Sequence, residues 1–183
     1  MVAMKRARRK FPLSRVYGLL EPGPVVLLAT ARKGRPNVMA MSWLTMMEFE
    51  PPLVGCVVSG RNYSFELLRA SKACVIAIPT ADIAEKVVAV GNVSGRRTDK
   101  FAKFGLTALP ASLVAAPLVA ECYANLECRV ADTRFVNRYN FFVLEVVAAW
   151  VDPAVKSPRT LHHRGWGEFA VPGRTLKLAS GKA

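Results

Sequence analysis

The chain has 183 residues, enough for one domain with a full core. Apolar residues make up 52% and charged ones 21%, which excludes a disordered chain, and a net charge of +13 favours anionic partners: nucleic acid, a phosphorylated ligand or a membrane surface. Four cysteines without CxxC spacing and two adjacent histidines argue against a tetrahedral metal site. The start MVAMKRARRKFPLS lacks an apolar run after its basic head, so no secretory signal is expected. The chargeless run GLTALPASLVAAPLVA is 16 residues with two prolines, too short and too broken to insert in a membrane. The expected compartment is the cytoplasm, with reduced cysteines.

In chain order, residues 1–15 are expected to be a mobile basic tail and 16–183 a single domain. Pro22, Gly23 and Pro24 force a turn into VVLLATA, a run of strand length. KGRP makes a turn, NVMAMSWLTMM a second strand ended by Pro51-Pro52, and LVGCVVS a third, giving an antiparallel meander. A helix is predicted from about Asn62–Ser64, then a buried strand ACVIAIP. DIAEKVVAVG reads as a helix with Asp82 at the N-cap, Glu85 in a capping box and Gly91 past the end. A short helix over 98–104 would be capped by Thr98, buried through Phe101 and Phe104, and stopped by Gly105. In the stretch from Glu121 to Val130, Cys122, Ala124, Leu126, Cys128 and Val130 alternate with polar residues, as in a half-buried strand. YNFFVLEVVAAWVD adds a long strand and LHHRGWGEFAVPG a last short one. About seven antiparallel strands with two or three short helices close most easily into a barrel, and two long half-apolar strands leave surface for a second subunit.

Two loops are rich in donors. GNVSGRRTDKFAKFG (91–105) joins a glycine turn and a helix start to Arg96, Arg97 and Lys100. SGRNYS (59–64) offers Ser59, Arg61 and Ser64 before another helix. Alone, each reads as a turn and a cap; together they suit one phosphate. No GxxxxGK[ST] or strand-linked GxGxxG supports a nucleoside triphosphate or Rossmann site. Polar groups at Asn37, Ser42, Trp43 and Thr45 are spaced to bond a planar ring, and His162-His163 with Gly165-Trp166-Gly167 reads as an aromatic flap or a surface turn. With no Ser-His-Asp set or GxSxG elbow, chemistry would depend on a bound cofactor.

The segments NVMAMSWLT, PPLVG, SGRNYSFELL, GNVSGRRTDKF and APLVAECYANLECRV resemble the flavin reductase-like family, and within it the flavoredoxins, from about residue 20 to 173. The resemblance implies a mainly β fold, the antiparallel split β-barrel of the FMN-binding type. It also implies a homodimer with FMN bound non-covalently near the interface, and hydride taken from NAD(P)H and passed to free flavin or another small-molecule or protein acceptor. By motif position, Asn37 and Trp43 lie beside the isoalloxazine, with Ser42, Leu44 and Thr45 lining it. Ser59, Arg61, Asn62 and Ser64 hold the phosphate and ribityl chain. Gly95 belongs to the loop that closes over the phosphate, Lys100 matches the lysine of the DKF motif, and Arg97 adds charge. Tyr139 and Asn140 give a ring-side contact, and a late aromatic contact falls on Trp166 or Phe169. No protein nucleophile or acid is required. The alternatives are an FMN- or haem-binding carrier or sensor without turnover and, in another class, a basic nucleic-acid binder. The second is not favoured, because aromatics and cations are not interleaved on one platform.

Overall fold

The computed structural model describes residues 23–174; the basic segment 1–15 lies outside them. After a two-residue β1 (Gly23–Pro24) come β2 (Val26–Arg32), β3 (Arg35–Met41), β4 (Leu44–Phe49) and β5 (Pro52–Val57). Helix α1 (Tyr63–Ser71), β6 (Ala73–Ile78), a 3-10 turn (Ala81–Ile83), α2 (Ala84–Gly91) and α3 (Lys100–Phe104) follow. The second half holds β7 (Ala108–Leu109), β8 (Leu118–Val119), β9 (Ala124–Asp132), α4 (Val136–Tyr139), β10 (Phe141–Val151), β11 (His162–Gly165) and β12 (Glu168–Ala170).

Seven strands form one antiparallel sheet in the order β3-β2-β6-β9-β10-β5-β4. β3 and β4 are consecutive in sequence yet form its two opposite edges. The chain thus joins the rims without pairing them, and the barrel is split there. β2 is buried on both faces, which is why its sequence is a continuous apolar run. Val26 and Leu28 face an inner core with Val54, Leu68, Ile76, Phe142 and Leu144. Leu27 and Ala29 face an outer core with Val87, Val90, Phe101 and Leu161. Helices α2 and α3 cover that outer face beside β3, where three cavities meet the strand.

Several local expectations change. The run 37–47 is not one strand: the chain leaves β3 at Ser42 and Trp43 because β3 pairs with β2 and β4 with β5. Asp82 is not an N-cap, since the 3-10 turn precedes α2; the position before α2 is Ile83, which makes no side-chain cap. Asp99 rather than Thr98 caps α3, its carboxylate accepting from Ala102 N at 3.1 Å. Gly105 ends α3 with φ +59°, as expected. Part of the polar face of β9 is covered: Asn125 and Glu127 are buried under residues 112–119, whose amides they bond, while Arg129 stays exposed. The tail forms a hairpin, β11–β12, that joins β1 in a three-stranded sheet. No helix among the described residues is long and apolar enough to cross a membrane.

Candidate functional site

Edge strand β3 has a hydrogen-bonded neighbour on one side only, so its free rim is open to a ligand. Against it lie the start of α1, the loop 92–99 and the start of α3, around a cavity of about 310 Å³. Asn37, Arg61, Asn62, Ser64, Gly95 and Lys100 all line it.

Lys100 is the first residue of α3 and is buried. Its Nζ donates to the Val90 carbonyl at 2.9 Å and faces the cavity. Burial lowers its pKa to about 8. The ion pairs found among the described residues join Arg96 to Glu66 and Arg134 to Asp132, so Lys100 has no carboxylate partner there. An ammonium half-stripped of water at a helix start is stabilised by an anion brought to it. The N-cap of α1, Asn62, makes no side-chain cap bond; Phe65 N donates to the Asn62 carbonyl at 3.0 Å, and the amides of Tyr63 and Ser64 ahead of it face the same end of the groove.

Asn37 is 4% exposed, and its Nδ2 donates to Ser64 Oγ at 2.8 Å and Thr30 Oγ1 at 3.3 Å. Its Oδ1 is buried without a partner. Turning the amide over would let both hydroxyls donate to Oδ1 and would free Nδ2 instead. In either orientation one polar atom of Asn37 stays buried without a partner at the wall of the cavity. Gly95 closes over this amide: a Cβ there would fall 1.8 Å from Asn37 Oδ1, so only glycine fits. The loop is held in place by Arg96, which pairs with Glu66 and lies over the Tyr63 ring, 5.0 Å from its centroid.

A second cavity of about 280 Å³ shares Ala40, Gly91 and Asn92 with the first, so the two form one groove along β3. Its walls are mainly apolar: Val25, Met41, Val87, Val88 and Phe169, with Ser42, Asn92 and His163 as polar groups. The groove can therefore take an anion at one end and a flat apolar body at the other.

The structure thus brings together Asn37, Arg61, Asn62, Ser64, Gly95 and Lys100 at the charged end, and Ser42 and Phe169 at the apolar end. It leaves others outside both cavities. Trp43 is 55% exposed, and Leu44 and Thr45 follow it on β4. Ser59 accepts from Arg61 N at 3.3 Å and shapes the turn below the cavity. Arg97 is exposed, Tyr139 at the end of α4 lies tilted to Phe135 with ring centroids 6.3 Å apart, and Asn140 caps that helix in a left-handed conformation. Trp166 projects at the β11–β12 tip, 63% exposed. Tyr63, Val87, Val88, Asn92 and His163 were not anticipated as lining residues. Of these, Tyr63 and Asn92 lie within the two donor-rich loops and His163 within the histidine doublet, whereas Val87 and Val88 carried no signal in sequence.

A split antiparallel barrel with such a groove at its open rim belongs to a known class of flavin-handling folds. The chain is a member of the flavin reductase-like domain family, whose model matches residues 19–169. It is 35% identical to the uncharacterized protein YddH of Escherichia coli (strain K12), over 86% of this chain and 91% of that one. It superposes on the FMN-binding domain of a flavin reductase-like enzyme from Shewanella baltica OS155 with a TM-score of 0.81, at 28% identity and 92% and 96% coverage. Flavoredoxin from Methanosarcina acetivorans gives a TM-score of 0.82 at 26% identity, covering 97% of each chain.

Proposed function

We propose that this chain is a flavoprotein oxidoreductase that holds FMN in the groove along β3, takes hydride from NAD(P)H, and passes electrons to free flavin or an acceptor protein. The observation that carries the reading is Lys100, a buried cation facing a cavity with no carboxylate of its own. The unpartnered atom of Asn37 and the glycine that closes over it fit the same ligand. FMN, when bound, supplies the ring that accepts hydride and gives up electrons.

The chain's own residues bind and orient. Lys100, Arg61 and the first amides of α1 hold the phosphate. Asn37 and Ser64 meet the ribityl hydroxyls, and Asn62 lines the same wall. Met41, Ser42, Val87, Val88 and Phe169 enclose the ring and keep water from it. No nucleophile or general acid is assigned. Residues 16–183 act as one domain, and the cytoplasm, which keeps thiols reduced, suits the four free cysteines.

The partner we propose is a second copy of the chain. Met46, Met47 and Phe49 on β4 are exposed, Phe49 by 89%, and Trp43 begins the same rim. An apolar edge strand of this kind needs a cover. Leu44 and Thr45 share that rim, so these two site residues and Trp43 lie on the same surface as the dimer contact.

Titration of the apo-protein with FMN and with riboflavin, which lacks the phosphate, tests the reading. The native chain should prefer FMN strongly, and Lys100→Ala should lose about tenfold or more of that preference while binding riboflavin unchanged. A Lys100→Ala variant that holds FMN as tightly as the native chain would remove the phosphate assignment.

A further inference from the structure

We propose that His163 is a positioning residue, the side chain that hydrogen-bonds the edge of the flat ring received by the apolar cavity. This rests on the reading above, in which that ring is a flavin.

Neighbouring residues of a strand point to opposite faces, and the two histidines divide accordingly. His162 Nε2 shares a hydrogen bond with Thr160 Oγ1 at 3.0 Å, a contact within the chain. His163 instead lines the 280 Å³ cavity, its ring tilted against Phe169 with centroids 5.3 Å apart and planes at 48°. It is firmly placed: β11 is the middle strand of its sheet, and His163 pairs with Gly23 on one side and Phe169 on the other.

Most of the surrounding wall carries no hydrogen-bonding side chain. In such a cavity a few polar groups set the orientation of the occupant. Ser42 and Asn92 are the other two, and Asn92 also belongs to the charged end. That leaves Ser42 and His163 to read the ring, and of the two only an imidazole adds a flat face. The ligand class this suits is a planar heteroaromatic whose edge carries nitrogen or oxygen acceptors. Reduction makes such an edge more electron-rich, so an imidazole N–H bonded to it favours the reduced form.

The test uses His163→Phe, which keeps the flat ring and removes the N–H, and His163→Gln, which keeps a donor. The probes are FMN, riboflavin and lumiflavin, the last a bare ring without ribityl phosphate. His163→Phe should weaken lumiflavin and FMN by a similar factor of about ten, leaving the FMN-to-riboflavin ratio unchanged. The midpoint potential of bound FMN should fall, by about 30 mV for each tenfold lost in preference for the reduced form. His163→Gln should recover much of both. A residue that only braced the hairpin would lower the melting temperature of both variants and leave the potential alone. Native affinity and potential in His163→Phe would overturn the inference while leaving the FMN reading intact. Failure of the native chain to bind any of the three flavins would overturn both.

Discussion

Lys100 gives the site a pH dependence whose sign follows from its burial. Its pKa in the free protein is lowered to about 8, and a phosphate beside it would raise it again. Above that pH, binding FMN must also take up a proton, so affinity should fall as pH climbs past about 8. Fluorescence titrations from neutral to alkaline pH should show this decline, and Lys100→Arg should flatten it because arginine stays charged. A native affinity that holds level through this range would count against Lys100 as the phosphate cation. Stability of the apo-protein moves the other way. The unfolded chain keeps this proton to a higher pH, so the group's contribution is lost as pH falls through about 8 and is restored toward the ordinary lysine value. Two neighbours carry separate predictions. Gly95→Ala would drive a Cβ onto Asn37 and displace the loop, so FMN binding should be lost with little change in the melting temperature. Arg96→Ala should speed FMN release, measured by stopped-flow, because Glu66 and Tyr63 would no longer hold the loop across the cavity. Release at the native rate would show that the Arg96 clasp plays no part in retention. In sequence, Arg96, Arg97 and Lys100 are three equivalent cations. Glu66 lies 30 residues away, so which cation is clasped, which exposed and which buried depends on tertiary contacts no local pattern records.

Strand β9 shows the same limit for whole elements. Its alternation correctly marks a strand, but alternation cannot tell a wet polar face from one covered by a later loop. Glu127 is fully buried and accepts from the amides of Ser112, Leu113 and Val114 and from the Trp150 indole. Burial would raise its pKa, yet these donors outweigh it and the net direction is down. Its contribution to stability is therefore present above the ordinary carboxylate range and lost as pH falls below it. Glu127→Ala takes the acceptor from three backbone amides and the Trp150 indole, which sit on half-buried to exposed residues, and should cost about 1–2 kcal/mol. Thermal melts over a pH series would show the cost at neutral pH and its disappearance in acid. A variant as stable as the native chain at neutral pH would contradict that role. Other elements were legible because one local cause fixes them: the both-face burial of β2, the left-handed Gly105 after α3, the start of α1. The break at Ser42–Trp43 was not, because the run 37–47 is uniformly strand-forming and is divided only by which partner each half finds. Thr98 and Asp99 are both good caps; reach to Ala102 N selects Asp99.

For the molecule as a whole, the seven-stranded order explains where the site lies. The barrel opens between β3 and β4, and a ligand groove runs along one rim while exposed apolar side chains gather on the other. Phe49→Asp should turn a dimer into a monomer in light scattering coupled to size exclusion, and a native chain that is already monomeric would contradict the assembly. The most direct test of the central claim is the visible absorption spectrum of the purified protein, recorded anaerobically before and after FMN, and then after NADH or NADPH. A bound-flavin spectrum that bleaches on adding nucleotide is the expected result. Flavin that binds without bleaching would leave a carrier or sensor, and no flavin spectrum after reconstitution would contradict the account outright.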